Sequence, residues 1–75
     1  MKEKLLTFEV KEGCDEIEIH GDEAGLLYLV ELISKVIKYR QHDHWMTPSW
    51  GGDELSEEQQ NDENRIVNKV TLHIW

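Results

Sequence analysis

The amino-acid sequence predicts an α+β fold, a two-layer sandwich in ββαββ order whose antiparallel sheet carries one helix on one face. Three observations lead there. Apolar residues recur every second position in Leu6, Phe8 and Val10 and again in Val70, Leu72 and Ile74, which is the period of a half-buried strand. Between these runs, Leu26, Leu27, Leu29, Val30, Ile33, Val36 and Ile37 follow helical spacing. Finally, 75 residues at 39% hydrophobic content can fill the core of one small domain and no second one.

In the first strand, Thr7, Glu9 and Lys11 alternate with the apolar residues and are expected to face water. Glu12-Gly13-Cys14-Asp15 is a turn signal, and Glu16-Ile17-Glu18-Ile19-His20 alternates again, so the first two strands form a hairpin with Glu16, Glu18 and His20 outward. Gly21-Asp22 then punctuates the chain. Asp22 is a suitable N-cap, and acidic Asp22 and Glu23 at one end with Lys35, Lys38 and Arg40 at the other suit a helix dipole over residues 23–39. His42 to Met46 allows a third strand, with His42, His44 and Met46 on one side and Asp43 and Trp45 on the other. Arg65 to Trp75 forms the last strand, Val70, Leu72 and Ile74 inward and Thr71, His73 and Trp75 outward. The sheet face away from the helix is expected to stay uncovered, lined in part by Glu9, Glu18, His20, His73 and Trp75. A partner protein or a second copy would dock there, giving a homodimer in the latter case.

Sixteen acidic against eight basic side chains give a formal charge of -8. That charge repels nucleic-acid backbones and anionic membranes and favours a basic protein surface. No run approaches the roughly 18 apolar residues a membrane span needs. A single cysteine, Cys14, has no internal disulfide partner, and MKEKLLTFEV lacks the apolar run of a signal peptide, so a cytoplasmic protein is expected.

The segment HDHWMTPSWGGDELSEEQQ, residues 42–60, stands apart. Nineteen residues from Met46 to Asn64 lack an apolar period, long for a connection that does nothing in so small a domain. Ser49 to Gly52 are expected to form a tight turn that seats Trp50 against the sheet or the helix end, with Glu54 to Ser56 reaching back toward Gly21 to Gly25. Gly51-Gly52 permits positive backbone dihedrals or close approach of main chain to a bound group. Ser56 with Gln59 fits a capping box for a helical turn starting at Glu57. Residues 42–60 are expected to form an ordered recognition loop, with His42, His44, Trp45, Trp50, Gly51, Gly52, Asp53, Glu54 and the distant Trp75 as binding residues. Asp53, Glu54, Glu57, Glu58, Asp62 and Glu63 supply charge, and Trp45, Trp50 and Trp75 supply aromatic anchors. Against this stands the plain alternative of a solvated acidic loop whose tryptophans cover the small core.

His42-x-His44-x-Met46-Thr47, Ser49-Trp50-Gly51-Gly52-x-Glu54-Leu55-Ser56 and Gly21-Asp22-x-x-Gly25-Leu26 together resemble a family of small bacterial immunity proteins of polymorphic toxin systems. The resemblance covers roughly residues 20–60. It implies a non-catalytic protein that neutralises a co-encoded toxin or effector by binding it. Trp45 departs from the aliphatic residue expected at its position.

Other chemistries compete. Two imidazoles two apart on a strand point the same way, so His42 and His44, with His73, invite a metal. His-x-His is common by chance, and polar surface histidines are the more economical account. Trp50 could stack a base while Gly21, Asp22 and Gly25 at the helix start receive a phosphate, as in a protein that sequesters a nucleotide signal for anti-defence. Catalysis is not expected, nor is a cofactor. His42, Asp43, His44, Ser49 and Ser56 offer acid-base groups, but a chain this short rarely encloses a water-excluding site. Cys14 lies among acidic neighbours that disfavour its thiolate.

Overall fold

The computed structural model describes residues 3–75. Met1 and Lys2, part of the stretch read for a signal peptide, lie outside the described residues. The elements run β1 (Leu6–Lys11), β2 (Ile17–Gly21), α1 (Glu23–Tyr39), β3 (Asp43–Met46), β4 (Asn64–Ile66) and β5 (Lys69–Leu72), with a single turn of 3-10 helix at Pro48–Trp50. This is an α+β fold with one helix and antiparallel strands. Among the described residues, no helix is long and apolar enough to cross a membrane.

The expected last strand is broken in two. Its first part pairs with β1 and its second with β3, so there are two sheets, ordered β2-β1-β4 and β3-β5. Asn68 falls where the alternation requires an apolar residue, and the chain leaves one sheet for the other at that point. Hydrogen bonds from Val67 N–H to Phe8 O (2.8 Å) and from Thr47 N–H to Asn68 O (3.0 Å) hold the two sides of the break.

Leu6, Phe8, Leu32, Trp45 and Leu55 form the core, with Tyr28, Leu29, Val67, Val70 and Leu72 packed against it. α1 starts at Asp22, whose Oδ1 accepts the N–H of Gly25 (2.7 Å) and also that of Leu5 (3.1 Å). Helix and strand therefore share one cap. The approach is so close that a Cβ on Gly25 would lie 1.7 Å from Leu5 O.

Several expectations are corrected. Ile17 and Ile19 lie on the helix side of β2, as alternation requires, yet they are exposed on this edge strand. The opposite sheet face is not open at β1: Thr7 and Glu9 are fully buried there. The Glu9 carboxylate accepts hydrogen bonds from Thr7 Oγ1 (2.7 Å), Gln60 N–H (2.9 Å), Asn61 N–H (3.2 Å) and Asn64 Nδ2 (3.1 Å). The end of the long loop thus lies over that face, and a homodimer through it has no free surface at Glu9. His73 and Trp75 follow β5 in the other sheet. No helical turn starts at Glu57. Ser56 Oγ instead accepts the Leu6 N–H (3.0 Å) and donates to Lys4 O (3.1 Å), so it braces β1 rather than capping a helix.

Candidate functional site

The long loop folds back on itself through main-chain hydrogen bonds. Trp50 N–H and Gly52 N–H both donate to Thr47 O (2.9 and 3.0 Å), and Gly51 N–H donates to Pro48 O (3.0 Å). Gly51 has φ +89°, a left-handed conformation that favours glycine. A Cβ on Gly52 would lie 2.6 Å from Met46 O. Both glycines therefore serve the turn, and the close approach is to the chain's own main chain. Glu54 Oε1 accepts the Met46 N–H (3.1 Å), Lys4 Nζ donates to Asp53 O (3.0 Å), and Glu57 accepts from both the N–H and the hydroxyl of Ser49. Leu55 is driven into the core.

The two loop tryptophans have opposite fates. Trp45 is 2% exposed, 6.3 Å from Phe8 ring to ring, and its Nε1 donates to Asp43 Oδ2 (3.1 Å). It is a core residue, unavailable as a binding anchor, because the side of β3 carrying Asp43 and Trp45 is the one that packs inward. Trp50 is 57% exposed. It is not seated against sheet or helix, since the turn points it outward.

Beside this turn lies a cleft of about 490 Å³. Tyr28, Pro48 and Leu55 line its apolar part, and Glu3, Asp53, Glu57 and Glu58 supply carboxylates. Lys4 Nζ sits 4.5 Å above the Tyr28 ring. Burial, followed by the negative charges of Glu54, Asp53, Glu31 and Asp43, pushes the Tyr28 phenol above its usual range. The surroundings of the cleft are thus electronegative, and they suit a guanidinium or ammonium group that can lie on an aromatic ring and meet carboxylates.

The remaining candidates are placed as follows. His42, His44 and His73 come together on the outer side of β3 and β5: His42 is 5.0 Å from His44 and 5.3 Å from His73 between ring centroids, and Trp75 stacks beyond His73 at 6.2 Å. His44 Nδ1 lies 2.9 Å from Thr71 Oγ1. Among the described residues, the three groups whose ligand atoms converge within 4.8 Å are instead Glu9, Glu18 and His20. These already satisfy one another. His20 Nε2 lies 2.8 Å from Glu18 Oε1, and Asn64 Nδ2 donates to both Glu9 and Glu18. Hydrogen bonds from His20 and Asn64 lower the Glu18 pKa. The phosphate position at Gly21, Asp22 and Gly25 is also taken: the Asp22 carboxylate fills the helix N-terminus, and Gly25 abuts Leu5 O.

Sequence reasoning missed Glu3, Lys4 and Tyr28 at the cleft, because they reach it only through tertiary folding. The one available signal was Tyr28, an aromatic ring at the border of the helix's apolar stripe.

Fold and site describe a small acidic α+β protein with a braced, partly exposed loop. The family of proteins described as Immunity protein 32 matches residues 16–70, from the start of β2 into β5. The chain belongs to the Immunity protein 32 family. No curated protein and no solved structure matches it. Membership makes toxin neutralisation its role and a toxin protein its class of partner.

Proposed function

We propose that this protein neutralises its toxin in the cytoplasm by binding alone, without catalysis, and that the acidic cleft and exposed Trp50 form the contact surface. The observation that supports this best is the set of four carboxylates around Tyr28, Pro48 and Leu55, in a chain of net charge -8. A basic toxin surface is first steered by the field of the loop. An arginine or lysine then enters the cleft, its charge facing Asp53 and Glu58 and its stem lying against Pro48 and Leu55, while Trp50 packs on the rim. The loop's internal hydrogen bonds hold these groups in place before contact, which reduces the ordering cost of association.

Titration calorimetry with the cognate toxin tests the assignment. Asp53→Lys and Glu58→Lys, which reverse charge without touching the Ser49–Glu57 brace, are expected to weaken binding at least tenfold each. Wild-type affinity in both variants would remove the cleft from the interface.

A further inference from the structure

β2 is an edge strand of the three-stranded sheet. Its pairing with β1 is unbroken from Leu6↔Gly21 to Val10↔Ile17, so no bulge twists the edge away. It contains no lysine or proline, and its one carboxylate, Glu18, lies on the side away from the helix, so the edge carries little of the protection that usually keeps another chain from pairing. The opposite edge, β4, is only three residues long.

Exposed apolar side chains also lie on the helix side of this edge and on α1. Ile17 and Ile19 pair with Val10 and Phe8 and so share the helix side of the sheet. On α1, Leu26, Val30, Ile33 and Ile37 recur at spacings of four, three and four, which places them on one stripe. Gly21 locates that stripe, since a Cβ there would lie 2.9 Å from the Leu26 side chain at the end of β2. Tyr28 marks the other flank, under Lys4. All six aliphatic side chains are exposed, from 39% to 66%. Together they make roughly 500 Å² of apolar surface, at the upper end of what a monomer usually shows. A standard interface takes about 800 Å² from each partner, so the stripe and the strand edge together approach that size.

We infer that β2 and the adjoining stripe of α1 form a homodimer interface, in which two β2 strands pair antiparallel across a two-fold axis. A second copy fits better than the toxin because this stripe is uncharged and aliphatic, whereas the acidic groups suited to a basic toxin lie around Tyr28 on the other flank of the helix. The aliphatic helix side of this contact is also where two chains of charge -8 can meet with least repulsion, leaving Glu18 as the acidic group on the other side of the paired strands.

The register follows from side-chain parity. Both apolar faces lie on the same side only if residues of equal parity pair across the axis. An axis at Glu18 would set two carboxylates opposite each other. An axis at Ile19 pairs Ile19 with its copy, Ile17 with Gly21, and Glu18 with His20, an acid facing an imidazole. The product is a continuous six-stranded sheet with both helices on one face and their aliphatic stripes against each other.

Sedimentation velocity on the full chain without toxin, across the micromolar range, is expected to give twice the chain mass. Ile19→Lys and Val30→Glu should each reduce it to the single-chain mass while leaving the circular dichroism spectrum and toxin affinity unchanged. In a Cys14→Ser background, Ile19→Cys should form an intermolecular disulfide on mild oxidation, and Glu18→Cys should form far less. A wild-type chain that stays at single-chain mass throughout would overturn the proposal, and so would charge variants that remain dimeric. Loss of toxin affinity in Ile19→Lys and Val30→Glu would assign the face to the toxin instead. Preferential crosslinking at residue 18 would overturn the register.

Discussion

The carboxylate of Glu9 accepts the main-chain N–H of Gln60 at 2.9 Å, joining the middle of β1 to the far end of the acidic loop. The same carboxylate accepts from Asn61 and Asn64. One buried anion therefore anchors the loop end that returns to the sheet as β4.

Glu9→Ala leaves these donors without an acceptor and is expected to destabilise the fold by about 3 kcal/mol, read from urea unfolding at neutral pH.

The same anchor sets an acid sensitivity. Burial raises the Glu9 pKa, but hydrogen bonds from Gln60, Thr7, Asn64 and Asn61 outweigh it and lower the value from 4.5 to about 2. The folded pKa lies below the unfolded one, so the stabilisation is complete above about 4.5 and is lost as pH falls toward 2. Unfolding free energy measured across that window should decline less steeply in Glu9→Gln than in the wild type.

Gly25→Ala places a Cβ where Leu5 O already sits, at 1.7 Å. Helix and strand must separate, and a loss of several kcal/mol is expected, visible as a large drop in thermal midpoint.

Trp45 and Trp50 should separate stability from binding. Trp45→Ala removes a buried ring and is expected to cost about 3–5 kcal/mol. Trp50→Ala, at an exposed position, should change stability by less than about 0.5 kcal/mol while weakening toxin affinity. A large stability loss in Trp50→Ala would make that ring structural.

Salt should act on the rate of encounter. Raising ionic strength shortens the reach of the acidic loop, and stopped-flow association with the toxin is expected to slow steeply while dissociation changes little. A rate indifferent to salt would argue against steering by these carboxylates.

The helix was legible because its apolar spacing, its Asp22 cap and its charged ends all agree over residues 23–39. The strands were legible as periods, but their burial was not. Ile19 faces the expected side and is still exposed, since cover depends on where α1 lies. Glu9 alternates like a surface residue and is fully buried, since a segment some fifty residues later crosses over it. Within the loop, the turn at Thr47 to Gly52 could be read from proline and glycine. Which tryptophan packs inward could not, because that follows from which side of β3 meets the core. The cleft around Tyr28 joins three distant parts of the chain and leaves no local pattern.

The pairing of β4 with β1, as in Glu9↔Ile66 and Val10↔Arg65, has a bearing on how the protein is made. Strands so far apart in the chain close late. A nascent polypeptide emerging from the ribosome holds its hairpin and helix early, but Glu9 waits for residues that have yet to leave the exit tunnel. Until residues 60–66 have cleared the tunnel the antidote has no closed sheet, and a product truncated ahead of them would leave the cell unprotected.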